Sequence, residues 1–289
     1  MLEQRIPKKV ILGISSLLIF LPIAIFLTPK LSVAVGNSLL FMPLEFKTLK
    51  KTFEELASAN NLGKDPIRMT IVAGYHAAYR SRDLGKCVRK DHNCGYHRDL
   101  NPLKKYDDPV IQEILRQAHV NGGYQGWVDE SGLISITRSS FYLSRLHPQE
   151  LSCLLGHELS HVLSDKPFSQ RVALWEIAPI GEESELELID AEVRREAEIQ
   201  ADIDATMLLW RAGYPMRTCK DFRDKLLTHR WYQIPTESDS NYPGYDEWLN
   251  RLTSFLEEHK SLERPMNPVG TTGRWEFDRA LNVLTFIPN

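Results

Sequence analysis

Two histidines four residues apart in an apolar stretch constrain this chain more than any other feature. His157 and His161 belong to the run His157-Glu158-Leu159-Ser160-His161, flanked by Leu151, Leu154, Leu155, Val162 and Leu163. That pattern predicts a helix over Pro148 to Leu163. Pro148 suits its first position, where a missing N–H has no partner to lose, and Glu150 follows where the helix dipole favours negative charge. Residues four apart on a helix share one face, with Cβ atoms about 5–6 Å apart. The surrounding leucines imply burial, and buried imidazoles need partners. A single zinc ion would satisfy both rings, each at about 2.0–2.1 Å. The alternative is a pair of core histidines satisfied by separate hydrogen bonds.

Glu158 is rotated by about 100° from His157, which puts it beside such a metal and outside its ligand set. A carboxylate there can act as general base toward a water that zinc has made acidic. The H-E-x-x-H pattern also arises by composition alone, so its surroundings have to decide. Upstream, Gly126-Trp127-Val128 and Leu133-Ile134-Ser135-Ile136-Thr137 flank the polar turn Asp129-Glu130-Ser131-Gly132, the signature of a hairpin. A strand edge in that position is where an extended peptide can add as a further strand. Downstream, the carboxylates from Glu182 to Glu196 read mostly as a solvated acidic face. Glu198 differs, because it accompanies the small residues Ala197, Ala201 and Ala205, which let helices approach closely, and Asp202 lies one turn on. Glu198 is therefore the expected third ligand, with Glu192 and Glu196 as alternatives. Asp202 is expected to accept the second N–H of a metal-bound histidine and fix its orientation.

The rest of the 289-residue chain places this motif. A net charge of −3, with Lys and Arg scattered, leaves no footprint for nucleic acid. Arg5, Lys8 and Lys9 precede an uncharged run from Val10 to Thr28. As a helix this run reaches roughly 28 Å, close to the thickness of a bilayer core. Its flanking charges favour an orientation that exports everything after Lys30. An uncleaved anchor over 1–30 is the preferred reading; a cleavable signal ending near Ser32-Val33-Ala34 is the alternative. Residues 31–289 then form one exported domain. In that compartment Cys87 and Cys94 could close a short disulfide loop; free thiols, or a metal site with His92 and His97, are the other readings. Cys153 reads as a small buried residue.

Helices are expected over 43–60, 108–119, 185–212, 216–229 and 245–260, with a short one over 139–145. Strands are expected at Ile67–Val72, in the hairpin, and in the tail at Trp275–Phe277 and Val283–Phe286, while 75–107 reads as a long loop. The fold class is α+β, mostly helical, with a small sheet.

Glu198-Ile199-Gln200-Ala201-Asp202 following the histidine motif resembles the HtpX-like and CAAX-prenyl-protease-like zinc metallopeptidases. The similarity takes in Gly132 to Thr137, Glu150-Leu151 and Arg211-Ala212-Gly213-Tyr214-Pro215; it covers roughly Trp127 to Pro215 well and the remainder loosely. The resemblance implies a zincin-like domain, one catalytic zinc, endopeptidase activity on protein substrates, and a role in removing damaged membrane and envelope proteins. Members of that family commonly carry a downstream His-Pro segment, where this chain has Asn241-Tyr242-Pro243. Tyr242 is the matching candidate for an oxyanion donor, with His229 behind it; alternatively it is a loop aromatic without a role. That departure also admits a zinc-binding scaffold without turnover, or a protease covered by its own 75–107 segment or acidic loop.

Overall fold

The computed structural model describes residues 39, 42–74, 77, 109–120, 125–141, 148–164, 183–227 and 244–289. The expected membrane span, nearly all of the 75–107 segment with Cys87 and Cys94, most of the short 139–145 helix, His229 and Tyr242 lie outside them. No helix among the described residues is long and apolar enough to cross a membrane.

Six helices and five strands make an α+β fold. In chain order they are α1 (Leu44–Ala57), β1 (Ile67–Val72), α2 (Pro109–Val120), β2 (Gly126–Val128), β3 (Leu133–Thr137), α3 (Pro148–Leu163), α4 (Glu183–Arg211), α5 (Thr218–Leu227), α6 (Tyr245–Glu258), β4 (Gly273–Asp278) and β5 (Val283–Pro288). The strands form one mixed sheet in the order β2-β3-β1-β5-β4. Only β1 and β3 pair in parallel, and the C-terminal hairpin inserts β5 against the other side of β1.

Apolar periodicity explains how the layers meet. In α1, Phe46, Leu49, Phe53 and Leu56 recur every three or four residues and are fully buried. They share one core with Ile67, Met69 and Ile71 of β1, Ile134 and Ile136 of β3, Leu284 and Phe286 of β5, and Leu151, Leu155 and Leu159 of α3. Phe53 packs its ring edge 5.2 Å from Trp275 and 4.9 Å from Phe286, joining α1 to the C-terminal hairpin.

Two local devices position the site. Asp129 shapes the turn between β2 and β3: its Oδ1 accepts the backbone N–H of Ser131 at 2.8 Å and of Leu133 at 3.1 Å, and Gly132 takes the left-handed φ of 72° that this turn needs. The turn fixes the register Gly126↔Ile136 and leaves β2 at the sheet edge. At its far end α4 closes in a Schellman motif. Tyr214 N–H bonds Leu209 O and Gly213 N–H bonds Trp210 O, both at 3.1 Å, with Gly213 at φ 103°. The expected Gly213-Pro215 stop therefore takes the form its residues dictate.

α3 and α4 pack closely because Gly156 has no side chain. A Cβ there would stand 3.0 Å from Leu209 Cδ1 and 3.3 Å from Ala205 Cβ. Gly156→Val should therefore force the two helices apart. It is expected to lower stability by about 1–3 kcal/mol and to weaken metal binding at the same time, as urea unfolding and chelator competition would reveal. Unchanged metal affinity in a destabilised variant would detach the site from this helix contact.

Candidate metal centre

The α3–α4 contact brings His157 and His161 against Glu198, and ligand atoms of the three residues all lie within 4.8 Å of one another. His157 Nε2 stands 3.2 Å from His161 Nε2 and 3.2 Å from Glu198 Oε2; His161 Nε2 is 3.6 Å from Glu198 Oε1. Two atoms each about 2.05 Å from a tetrahedral ion are separated by about 3.3 Å. The donor spacings match that figure, and two imidazoles with one carboxylate suit a divalent ion of this size. The other two carboxylates considered from the sequence point elsewhere. Glu196 pairs with Arg251 on the surface at 2.7 and 2.9 Å, and Glu192 is exposed.

Asp202 holds His157. Its Oδ1 lies 2.8 Å from His157 Nδ1, which assigns the proton to Nδ1 and turns Nε2 toward the cluster. The same carboxylate accepts Arg223 Nε at 2.9 Å and Trp248 Nε1 at 2.7 Å on Oδ2, and Arg223 Nη2 at 3.2 Å on Oδ1. Arg223 comes from α5 and Trp248 from α6. Neither had been singled out from the sequence. Trp248 did carry a signal, since it stands one turn from Leu252 on an apolar face and a buried indole N–H requires an acceptor. Arg223 carried none.

α5 is brought to this place by a disulfide between Cys153 and Cys219. Cys153 is buried, as expected, but it is bonded and not a free small residue. Pairing across 66 residues has no local sequence signal.

Electrostatics follow from this burial. Burial opposes charge on His157, yet the Asp202 and Glu198 carboxylates overcome it and push the imidazole up to about 10. His161 is driven down to about 4, by burial first and then by the positive His157 beside it. Burial would raise Asp202 and Glu198, but Arg223 and His157 hold the first below its ordinary value, and His157 holds the second. In the ion-free protein the proton on His157 thus occupies a place where the two carboxylates demand positive charge. Glu158, at 3% exposure, is raised to about 7, chiefly by burial.

Glu158 lies against β2, close enough to His157 and Glu198 to feel their charges. A Cβ on Gly126 would stand 2.6 Å from Glu158 Oε1 and 2.7 Å from its Cγ, so the glycine makes the space the carboxylate occupies. Ser160 Oγ, between the histidines, donates to Asp204 Oδ2 at 3.1 Å and ties α3 to α4 once more.

Comparison with protein-family models, with curated proteins and with solved structures finds no match for this chain.

A divalent ion must displace the His157 proton, whereas at about pH 8 His161 is already neutral and Glu198 ionised. Binding is then expected to release about one proton per ion, measured by titration calorimetry in buffers of different ionisation enthalpy. Affinity should rise with pH up to the His157 value of about 10. Asp202→Asn should abolish most of the release while weakening binding by about 10–100-fold. Zero proton release in the parent protein would contradict a protonated His157.

Proposed function

We propose that the chain is a zinc-dependent metalloendopeptidase, with His157, His161 and Glu198 holding the ion and Glu158 serving as general base. The observation that carries this reading is the placement of Glu158, beside the ligand triangle and against the edge strand β2. Zinc held by the triangle would supply Lewis-acid polarisation of a carbonyl and bring the pKa of water toward neutrality. Glu158, at about 7, accepts a proton from the attacking water and returns it to the departing amine, which suits a group poised near working pH. A cation close by favours the ionised carboxylate, so the general-base form gains when the ion is bound.

The ladder supports a peptide substrate. Thr137 N–H bonds Gln125 O at 2.9 Å and Asp129 N–H bonds Leu133 O at 3.2 Å, so odd-numbered residues of the strand turn their backbone groups toward β3. The N–H and C=O of Gly126 and Val128 consequently point to the outer edge, as alternation in an antiparallel pair requires. An extended chain docking there would be aligned by the residue that makes room for Glu158.

In location, the reading keeps the apolar 10–28 run as a single membrane anchor and puts the 31–289 domain on the exported side. The Cys153–Cys219 bridge supports that placement, because such bonds persist in oxidising compartments. Tyr242 retains its proposed part as oxyanion donor on the sequence alone.

Glu158→Gln should keep stoichiometric zinc while slowing cleavage of an unfolded protein such as casein by about 10²–10⁴-fold. Full activity in that variant would sink the mechanism; stoichiometric zinc with no cleavage by the parent protein would favour a zinc-binding scaffold. Gly126→Ala is expected to lower kcat by about 10²-fold through a displaced carboxylate, with KM and zinc content unchanged. An unaltered kcat would mean that Glu158 does not need the space.

A further inference from the structure

Two of the contacts between α3 and α5 lie one turn apart on each helix. Cys153 bonds Cys219, and four residues on in both, His157 Nδ1 lies 3.4 Å from Arg223 Nη2. Arg223 does not serve His157 as a partner directly, since Nδ1 is engaged with Asp202. It grips the Asp202 carboxylate with Nε on one oxygen and Nη2 on the other, at 2.9 and 3.2 Å. This is the planar two-point contact that only a guanidinium can make.

Otherwise α5 is held by non-covalent packing against α3, α4 and α6. It is ten residues long, too short to persist in isolation, and among its described side chains Cys219 and Phe222 are the buried ones. Besides Arg223–Asp202, an ion pair joins it to the rest of the fold at Lys225 and Glu150, 2.7 Å apart, and this lysine is half-exposed. Such pairs contribute little. The covalent bond at Cys219 is therefore the firmest constraint on where Arg223 begins.

We infer that the Cys153–Cys219 disulfide is a positioning element of the metal centre, holding Arg223 on Asp202 and, through Asp202, aiming His157 at the ion. The chain of contacts is continuous: bridge, one helical turn, guanidinium, carboxylate, imidazole. The bridge thus acts on metal affinity by a route separate from its general support of the fold. This rests on the triangle binding a divalent ion, and not on any peptidase activity.

A double-mutant cycle on zinc affinity tests it, using the full chain and chelator competition with zinc alone. Arg223→Gln should weaken zinc by about 10-fold or more, and Arg223→Lys should not rescue it. Cys153→Ala with Cys219→Val, which removes the bridge while filling its volume, should cost about 10-fold in the parent background. The same pair of changes should cost less than about 2-fold once Arg223 is Gln, because the route is already cut. Equal losses in both backgrounds would overturn the inference. So would bridge-free protein that is unfolded by circular dichroism, which would make the bond a support of the whole fold. Absence of zinc binding by the parent protein would instead defeat the metal-site reading itself, a separate outcome.

Discussion

The Asp202 carboxylate is where the helical half of this protein converges. It projects from α4 and accepts from His157 on α3, from Arg223 on α5 and from Trp248 on α6. Each oxygen receives two donors, so the group is fully used. Buried this deeply, an unpaired carboxylate would be costly, and satisfying it requires three other helices to arrive in register. A buried charge network of this kind is weak evidence for stability, because desolvation consumes much of the attraction. Its value lies in orientation. With Nδ1 committed to Asp202, the His157 ring has one direction left in which to present Nε2.

The same burial sets up opposed tendencies in neighbouring groups. His157 is pushed up and His161 down, although they sit one turn apart on one helix, because His157 bonds the Asp202 carboxylate while His161 is lowered by burial and by the positive His157. Glu158 is pushed up chiefly by burial, with charges of both signs around it partly cancelling. One helix therefore carries a positive imidazole, a neutral imidazole and a half-ionised carboxyl near neutral pH. An entering cation would displace the proton of His157 and favour the ionised form of Glu158, while His161 is already neutral.

How much of this was legible in advance depended on whether the pattern was local. The His157–His161 spacing, Glu158 between them and the Glu198–Asp202 pair each lie within a turn of one helix, and helical geometry alone determines what they can share. The hairpin and its Asp129 turn were equally local, so β2 and β3 fell where the alternation placed them. Arg223, Trp248 and the Cys153–Cys219 bond were not legible, because they depend on how α5 and α6 cross α3 and α4. Ridge-and-groove packing permits several such crossings. The sheet was hidden for the same reason: β4 and β5 could be seen as strands, but that β5 would lie against β1 depends on the tertiary route of the chain. The resemblance read from the sequence implied none of these contacts, since it is good only over Trp127 to Pro215, before α5 begins.

Gly126 connects the two halves of the molecule. It is paired to β3, its backbone is turned toward the sheet edge, and its missing side chain is the space for Glu158. A strand of three residues offers few backbone groups, so alignment of an incoming chain depends on each of them. On the proposed peptidase reading, the position that would hold a substrate backbone is also the one that sets where the Glu158 carboxylate can sit. Binding and proton transfer could then not be adjusted independently at that point, because any side chain at 126 would meet and displace the carboxylate. Such a constraint is invisible in the H-E-x-x-H motif itself, because it resides in an atom that residue 126 does not have.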